Sequence, residues 1–551
     1  MSYVFGIDLG TTYSCISYID EYGKAVVLKN GEGDHTTPSV VMIESESNIV
    51  VGVEAKRSVD MEPDKTCQFI KRKMGKENDS IVINGNTYHA PEISSMILKK
   101  IVQDANAELQ QIGVLKEGEL VKDVVITCPA YFGMNERNAT SSAGELAGLN
   151  VLNIINEPTA AAISYGVSGD SKNETVLVYD LGGGTFDITV MNIQGENISV
   201  VCAGGDDQLG GKDWDEALIE YIRERYEEMY EYDISEDPEL IAGLYGDVEQ
   251  YKKTLSTREK TNLSVNGPEG RLREELTREK YEEITSSLLN RTRNLLDDVL
   301  QSAQKQGYSL DKINKVLLVG GSSRMPQVSA MIEEVYHVTP VLADPDEAVA
   351  KGAAIYASNE KSFEDFILSE SSRTGMSVES LKERNLVTGE VDKQFSLSAG
   401  TTGGMGIKLN ITNALSRTYG VSILENDRLV IRNMLMINDK IPATVAQTFA
   451  TVSDNQSGIS IEIYESLSTE EIIEIDGKEP LTIIAMKFTK SVPMGTAVTI
   501  QIALDNAGIM SIIAEELLHH SRLDTTFALS NQMTEEERNL AINRMAVANV
   551  E

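Results

Sequence analysis

Two short stretches of the same pattern decide the fold: GIDLGTTYS at residues 6–14 and VYDLGGGTFD at residues 178–187. In each, an apolar strand ends at an aspartate, Asp8 or Asp180, and glycines with a threonine follow. Glycine has no Cβ, so backbone N–H groups in such a turn can approach phosphate oxygens closely. One such turn alone is more often an ordinary tight hairpin. Two copies in an α/β chain indicate an internal duplication, with the two aspartates facing each other across a cleft.

Residues 1–357 alternate short strand-like runs, such as VVITCPA and KVLLVG, with helical periods such as PEISSMILKKIVQDANAEL. This order is typical of an α/β domain whose strands lie buried between helices. Within it, residues 213–312 become mainly helical and heavily charged, which indicates an inserted helical lobe with solvated polar faces. Residues 358–415 are polar and contain the glycine-rich AGTTGGMG, so we expect an extended insert and an interdomain linker there.

The remaining sequence has a different spacing of apolar residues. Residues 416–530 contain period-2 strands such as GISIEIYES and VTIQIALDNAG between turn residues, which predicts a compact antiparallel β domain. Residues 531–551 contain one capped helix that begins in MTEEER.

Composition excludes several classes of function. The formal net charge of -36 over 551 residues argues against a nucleic-acid or anionic-membrane partner, because such partners need a basic surface. The four cysteines include no CxxC pair and indicate neither a disulfide framework nor a zinc site. No apolar run approaches the roughly 18 residues of a membrane span, and MSYVFGIDLG at the start shows no basic leader. We therefore expect a cytoplasmic protein.

A third glycine turn, LLVGGSSRMP at residues 317–326, follows a buried strand and precedes a helix start. Gly320, Gly321 and Ser322 would cap a helix whose N-terminus suits a bound phosphate. The two opposed carboxylates suit a hydrated Mg²⁺, which takes one or two carboxylates beside phosphates. Neither GxxxxGKS nor GxxxxGKT occurs, so a P-loop is not the mechanism.

These residues resemble the DnaK-type seventy-kilodalton heat-shock chaperone family. The motifs that carry the resemblance, in the family's order, are GIDLGTTYS, FIKRKMG, CPAYFGMNERNAT, NEPTAAAISYG, VYDLGGGTFD, LGGKDWD, EQYKKTLS, LLVGGSSRMP and DPDEAVAKGAA. The resemblance implies an α/β actin-like (duplicated RNase H-like) ATPase domain followed by an antiparallel β-sandwich. It implies an ATP-dependent chaperone, here a short and divergent bacterial member, that uses ATP/ADP, Mg²⁺ and K⁺ and binds unfolded or extended polypeptide clients.

The resemblance also assigns roles residue by residue. The catalytic set is Lys71, Glu157, Asp8, Asp180 and Thr185. The cation set is Asp8, Asp180 and Asp187, with Mg²⁺ held mostly through water and K⁺ near Asp187. The nucleotide-binding set is Gly10, Thr11, Thr12, Tyr13, Gly182, Gly183, Gly184, Gly211, Glu249, Lys252, Ser256, Gly320, Gly321, Ser322, Arg324 and Asp346. The set that relays nucleotide state to the next domain is Pro129, Arg137 and Asn413.

Taken alone, two of these residues have simpler interpretations. Lys71 lies in the basic run KRK and would by itself be read as a surface lysine. Glu157 precedes Pro158, which suits the first turn of a helix, so its carboxylate would equally serve as a helix-terminus charge. Phosphoryl transfer, however, asks the protein mainly to position groups and to neutralise developing charge, and an ammonium near the γ-phosphate does both. The family pattern favours the catalytic interpretation.

The β domain resembles the family less closely. NDKIPA, TFATVSDNQSGISIEIYES and VTIQIALDNAGIMSIIAEE are similar to the sandwich that binds extended peptides, although their apolar residues also suit an ordinary sandwich core. In the linker, Asn413 stands where the family has an acid and Ser416 where it has a proline. The standard coupling between the domains is therefore in doubt.

The sequence leaves the partners and the function class open. Asn153 stands at a J-domain contact that is basic in the family's bacterial type member, and the short hairpin NLSVNGPEGRLRE leaves the nucleotide exchange factor undecided. The helical lid is expected to be missing beyond its first turns, which would shorten the lifetime of a peptide complex. Two alternatives to a chaperone remain: a nucleotide-gated module with one dedicated partner, and a small-molecule kinase on the same scaffold.

Overall fold

The computed structural model of the protein describes residues 3–76, 79–166, 173–195, 197–388, 391–392, 395, 409–505, 510–527 and 535–551. The AGTTGGMG segment and residues 531–534, on which two of the expectations above fall in part, lie outside the described residues. Every helix in the described part of the chain is too short or too polar to cross a membrane.

Lobe I, residues 3–166, is built on a six-stranded sheet. The strands of this lobe are β1 Phe5–Asp8, β2 Tyr13–Ile19, β3 Ala25–Val27, β4 Thr37–Pro38, β5 Val41–Ser45, β6 Asn48–Val51, β7 Thr66–Cys67, β8 Ile81–Ile83, β9 Asn86–Tyr88, β10 Asp123–Cys128 and β11 Asn150–Asn156. Its helices are α1 Val53–Arg57, α2 Ala90–Gln111, α3 Met134–Leu146 and α4 Glu157–Gly166, with 3-10 turns at Pro63–Lys65 and Ile70–Lys73. The sheet order is β11-β10-β1-β2-β3, with β4 on β2. Strands β1 to β3 form an antiparallel meander, whereas β10 pairs in parallel with β1 and β11 pairs in parallel with β10.

Lobe II, residues 173–342, repeats this arrangement. Its strands are β12 Glu174–Leu181, β13 Phe186–Gln194, β14 Asn197–Asp206, β15 Lys260–Gly267, β16 Gly270–Thr277, β17 Lys315–Val319 and β18 Val341–Leu342. Its helices are α5 Gly211–Tyr230, α6 Pro238–Thr257, α7 Arg278–Ile284, α8 Ser286–Lys305 and α9 Pro326–Tyr336, with 3-10 turns at Ile234–Glu236, Leu310–Lys312 and Gly321–Arg324. The order β18-β17-β12-β13-β14 again joins a meander to two parallel strands. The predicted duplication and the α/β class are confirmed.

The helical part of lobe II sits on one edge of this second sheet. Helices α5, α6 and α7 pack against the two-stranded hairpin of β15 and β16, whereas α8 packs against β13 and β14. Trp214 and Tyr226 of α5 are completely buried in the same apolar core as Leu318 of the central sheet. The charged residues that suggested a solvated helical lobe lie on the opposite faces of these helices.

Two helices follow lobe II: α10 Ala348–Thr374 and α11 Val378–Thr388. Helix α10 packs against α4 and against strands β1 and β2 of lobe I. It continues through Ala357 without a break, so the expectation of an extended connection from residue 358 is wrong for residues 358–374, and it is wrong for the helical residues 378–388 as well. The reason is that Phe363 and Ile367, one helical turn apart, bury the same face of the helix.

The β domain consists of two antiparallel sheets around one core. Its strands are β20 Thr418–Glu425, β21 Arg428–Leu435, β23 Ala443–Ala450, β24 Gln456–Ser466, β25 Ile472–Glu474, β26 Thr482–Val492, β27 Ala497–Leu504, β28 Met510–Glu516 and β29 Ser521–Phe527. Two further strands, β19 Asn410–Ala414 in the linker and β22 Lys440–Ile441, belong to the sheet of lobe II. One sheet has the order β25-β21-β20-β24-β26 and the other the order β23-β27-β28-β29. Val421 and Ile463 of the first sheet share a core with Ile502 and Ile512 of the second. The predicted β-sandwich is confirmed.

The β domain is joined to both lobes. Strand β19 pairs in parallel with β14 and is followed by β22, so the linker extends the sheet of lobe II. At the other end, helix α12 Glu535–Val547 and strand β30 Asn549–Val550 lie on lobe I, where β30 pairs in parallel with β6. Lys99 Nζ of α2 donates to the carbonyls of Met545 at 2.9 Å and Ala548 at 2.8 Å. The segment predicted as the start of a lid is thus packed against lobe I.

Candidate functional site

A buried ion pair lies at the centre of the cleft between the lobes. Lys71, in the 3-10 turn Ile70–Lys73, donates from Nζ to Glu157 Oε1 at 2.5 Å. The two residues are 5% and 7% exposed, so neither is a surface charge. Asp8 ends β1 and accepts from Thr127 Oγ1 at 3.3 Å, while Asp180 lies near the end of β12. Lys71 is therefore not the surface lysine that the run KRK alone would suggest.

Charge and burial act together on these groups. Burial, followed by the charge of Glu157, raises the pKa of Asp8 and of Asp180 well above the ordinary range of a carboxyl. Burial would lower the pKa of Lys71, but the charges of Glu157 and Asp8 outweigh it and the pKa is raised. Lys71 thus stays an ammonium among several carboxylates. Negative charge is in excess, which is the condition in which a bound cation is stabilising.

The first two glycine turns pack face to face. A Cβ at Gly183 would lie 2.2 Å from Thr12 Oγ1, and one at Gly184 would lie 2.2 Å from Thr11 Cγ2. At Gly10 it would lie 2.0 Å from the carbonyl oxygen of Tyr13. Such distances are far below van der Waals contact, so these positions require glycine for close approach. Gly182 N donates to the carbonyl of Thr185 at 3.0 Å and closes the second turn.

The third glycine turn meets the second one. Gly320 has φ 78, and a Cβ there would lie 2.5 Å from Asp180 Oδ1. Nearby, a Cβ at Gly211 would lie 2.4 Å from Ser322 Oγ and 3.0 Å from Lys252 Nζ. The structure therefore brings Gly211, Lys252 and Ser322 to one place, although they are far apart in sequence.

The remaining members of the predicted nucleotide set flank this cluster. Ser256 lies one turn after Lys252 on α6 and donates from Oγ to its carbonyl at 2.9 Å. Arg324 Nη2 pairs with Asp346 Oδ2 at 2.5 Å, and Asp346 Oδ1 is 3.5 Å from the position a Cβ would take at Gly321. These residues form the rim of the cleft beside the third turn.

Glu249 spans the cleft. It accepts from Tyr13 OH of lobe I at 3.0 Å, and it pairs with Lys56 of α1 and, at 2.8 Å, with Lys253. Burial would raise the pKa of Glu249, but the two lysines outweigh it and lower the pKa to about 2. This carboxylate therefore ties lobe I to the helical lobe at every physiological pH. Sequence reasoning missed Lys56 and Lys253 because neither belongs to a glycine turn.

Arg72 is a second residue that sequence reasoning missed. Its Nε donates to the carbonyl of Gly184 at 2.8 Å, and its Nη2 pairs with Asp213 Oδ2 at 2.5 Å. It thereby holds the second glycine turn against the start of α5. The basic run KRK contains both Lys71 and Arg72, but the family motif assigns a role to Lys71 alone.

The turn after Pro129 connects this site with the β domain. Asp187 Oδ1 accepts from Ala130 N at 2.8 Å, and Phe132 N donates to the carbonyl of Pro129 at 3.2 Å. The carbonyl of Phe132 in turn accepts from Ser416 Oγ of the linker at 3.1 Å. Ser416 makes this bond with a hydroxyl that a proline would lack.

Arg137 and Asn413 lie on the two sides of the same turn. Arg137 donates from Nε to the carbonyl of Phe132 at 3.1 Å and from Nη2 to Asn156, the residue before Glu157. Asn413 lies in β19 opposite Ile441, and its buried Oδ1 finds no donor among the described residues. The structure thus brings the three predicted relay residues to one interface, where Asn413 supplies no charge.

Other contacts hold the linker in place. Lys440 Nζ donates to the carbonyls of Val200 and Val201, at the irregularity where β14 shifts register against β13. Asn438 Oδ1 accepts from Ala203 N at 3.2 Å. A cationic donor of the β domain thereby satisfies backbone oxygens of lobe II.

Comparison with known proteins agrees with this architecture. A family model described as Hsp70 protein matches residues 4–388. The chain is similar to proteins described as chaperone protein DnaK from Thermotoga petrophila, Thermotoga sp. RQ2 and Thermotoga maritima. Each is 36% identical over 471 residues, covering 84% of this chain and 70% of the relative. The kinase and dedicated-partner alternatives receive no support. The chain belongs to the Hsp70 family: it is an ATP-hydrolysing, ATP-dependent chaperone that uses ATP/ADP with Mg²⁺ and binds unfolded polypeptide clients.

Proposed function

We propose that ATP is hydrolysed at the Lys71–Glu157 pair, and that the reaction controls how the β-sandwich binds extended polypeptide. The observation that carries this proposal is the burial of that pair between Asp8 and Asp180. Lys71 keeps its proton there, so its ammonium stabilises charge that develops on the phosphate. Glu157 accepts from Lys71 and orients the attacking water with it, while Thr185 lies in the glycine turn at the γ-phosphate.

The residues fit a hydrated Mg²⁺ bound beside the phosphates. Within the described residues, no three carboxylate, histidine or cysteine side chains converge to ligate a metal directly. Asp8 and Asp180 would therefore hold the ion mostly through water, as suits Mg²⁺. Magnesium would neutralise phosphate charge. It would also offset the negative charge of the neighbouring carboxylates, which together with burial raises the pKa values of Asp8 and Asp180.

We assign Asp187 to a potassium ion. Its Oδ1 accepts from Ala130 N, but its Oδ2 is buried without a partner among the described residues. A buried carboxylate oxygen in that state is costly unless a cation reaches it. Replacing K⁺ by Li⁺ should slow hydrolysis in the parent, and Asp187→Asn should remove that difference.

The nucleoside is assigned to the rim of the cleft. The residues predicted to contact it are Glu249, Lys252, Ser256, Gly321, Ser322, Arg324 and Asp346, and Gly211 of the nucleotide-binding set lies beside Lys252 and Ser322. Gly10 to Tyr13 and Gly182 to Gly184 would surround the phosphates, with Gly320 beside them. Residues 1–357 form the ATPase domain in this proposal, and residues 416–530 form the peptide-binding domain.

Co-chaperones and location are part of the proposal. Asn153 donates from Nδ2 to Tyr356 OH at 2.8 Å, which supports a neutral surface at the J-domain contact and a correspondingly weak response to a J-domain protein. We place the protein in the cytoplasm.

The test is ATP turnover with and without unfolded polypeptide and a J-domain protein. The proposal requires that unfolded polypeptide alter turnover. Phosphorylation of a sugar or polyol, with no response to polypeptide, would contradict it.

A further inference from the structure

The face between lobe I and the β domain carries a group of charges that the nucleotide site does not use. Glu136 of α3 and Glu465 of β24 approach each other from the two domains. A Cβ at Gly133 would lie 2.8 Å from Glu465 Oε2 and 3.1 Å from Glu136 Oε2. The two carboxylates thus meet over Gly133, which leaves room for both because it has no side chain.

One arginine lies beside this pair. Arg417, just after the linker strand β19, pairs through Nε with Glu465 Oε1 at 3.4 Å. Its guanidinium also lies over the ring of Tyr131, 6.0 Å from the centroid. The side chains of Arg417 and Glu465 keep only 16% and 23% of their exposure, so water screens the contact incompletely. Glu465 Oε2 has no hydrogen-bond partner among the described residues.

We propose that Glu136, Glu465 and Arg417 form a proton-dependent clasp, in which a proton shared by the two carboxylates holds the β domain on lobe I. The inference rests on the proposed coupling between the ATPase and peptide-binding domains. Two carboxylates face one guanidinium, so full ionisation leaves an unbalanced negative charge in a half-buried contact. A proton on Glu136 removes the repulsion and lets its carboxyl donate toward Glu465.

The titration has a definite sign. Burial, followed by the charge of Glu465, raises the pKa of Glu136 from 4.5 to about 7. Burial also raises the pKa of Glu465, against the lowering effects of Arg417 and of the hydrogen bond from Tyr419. The docked contact therefore binds a proton that the separated domains release. Docking is favoured at low pH and weakens as pH rises through about 7. The other titratable and charged groups that face the clasp are Tyr131 and Asp207 of the ATPase domain, Lys76 paired with Asp207, and Tyr419 of β20.

The test measures docking directly in the full chain. Hydrogen exchange of the β19 amides, corrected for intrinsic rate, reports pairing of the linker with β14 from pH 6 to pH 8, with and without ATP and Mg²⁺. The parent should lose up to about tenfold in protection over this range, because one proton is released on separation. Glu136→Gln should stay docked and show no such slope. Glu462→Gln, a carboxylate of β24 outside the clasp, is the matched control and should keep the parental slope.

A double variant distinguishes a charge-dependent clasp from apolar packing between the domains. Arg417→Leu should loosen docking about tenfold at pH 7.5, and Arg417→Leu with Glu136→Gln should recover most of that loss. Gly133→Ala should loosen docking at every pH, because its methyl group displaces Glu465 whatever its charge. An unchanged slope in Glu136→Gln, or no recovery in the double variant, would overturn the clasp. Failure of the proposed function would instead appear as absent ATP turnover with the pH slope intact.

Discussion

In the cleft between the lobes, two cations face carboxylates: the buried Lys71 pairs with Glu157, and the half-buried Lys56 pairs with Glu249 across the lobes. At the domain interface the pairing is incomplete. Asn413 Oδ1 has no donor among the described residues, and Lys440 donates to backbone oxygens in place of a carboxylate. The cleft is thus organised for strong, fixed electrostatics, whereas the interface is organised for adjustable affinity. That difference fits the proposal that the cleft performs the chemistry and the interface transmits the nucleotide state.

The largest effect is expected at the centre of the cleft. Lys71→Ala should slow single-turnover hydrolysis by at least about 10²- to 10³-fold, because it removes charge stabilisation in a buried site. Nucleotide affinity should stay within about tenfold, or roughly 1.4 kcal/mol. Lys73→Ala, which alters an exposed neighbour, is the control and should hydrolyse ATP normally. Undiminished hydrolysis in Lys71→Ala would move the role to another residue.

The next effect concerns the linker. Lys440→Met keeps the aliphatic stem but leaves the Val200 and Val201 carbonyls without their cationic donor. We expect the effect of ATP on peptide affinity to shrink about tenfold, within the range of typical coupling energies. Lys490→Met on the exposed face of β26 is the control. If ATP changes peptide affinity equally in the two variants, Lys440 does not contribute to the coupling between the domains.

A smaller effect is expected for the pair that closes the cleft. Lys56→Met removes one of the two lysines that hold Glu249, which should raise the ADP dissociation rate about fivefold. Stopped-flow release of a fluorescent ADP analogue measures this rate. Lys65→Met breaks an exposed pair with Glu62 on the same lobe and should leave the rate within a factor of two or so. If both variants release ADP alike, the pair does not restrain the cleft.

The smallest effect is expected where α12 and β30 lie on lobe I. Lys99→Met removes the donor to the Met545 and Ala548 carbonyls, so the Asn549 and Glu551 amides should exchange about fivefold faster. Arg538→Ala, which breaks an exposed pair with Glu145, should change them little. ATP turnover should be nearly parental in both, and a large loss would mean that this segment acts on the cleft itself.

The sequence predicted the cleft better than the interface, for a physical reason. Asp8, Asp180 and the three glycine turns are local patterns, since a turn that admits a phosphate needs glycine within a few residues of the strand end. Lys56, Lys253 and Glu465 belong to no such pattern, and only tertiary packing brings them to their partners. The helical continuation of α10 was missed because a polar, charged sequence hid the buried positions Phe363 and Ile367.

The β domain shows the same limit. Its period-2 strands predicted two packed sheets, and the structure has them. In the linker, the sequence pattern points only to the missing acid at Asn413. The motifs do not predict that Ser416 contacts Phe132 or that Arg417 pairs with Glu465. The departure from the family pattern at Asn413 therefore located the altered interface, but it did not predict the contacts that Ser416 and Arg417 make there.

The most direct test of the account is the affinity of the full chain for an extended apolar peptide with and without ATP. The Lys71→Ala variant is used because we expect it to bind ATP without hydrolysing it during the measurement. Because the β domain contacts both lobes, the account predicts that ATP weakens peptide binding by about 5- to 150-fold. Equal affinity in the presence and absence of ATP would contradict the coupling on which the account depends.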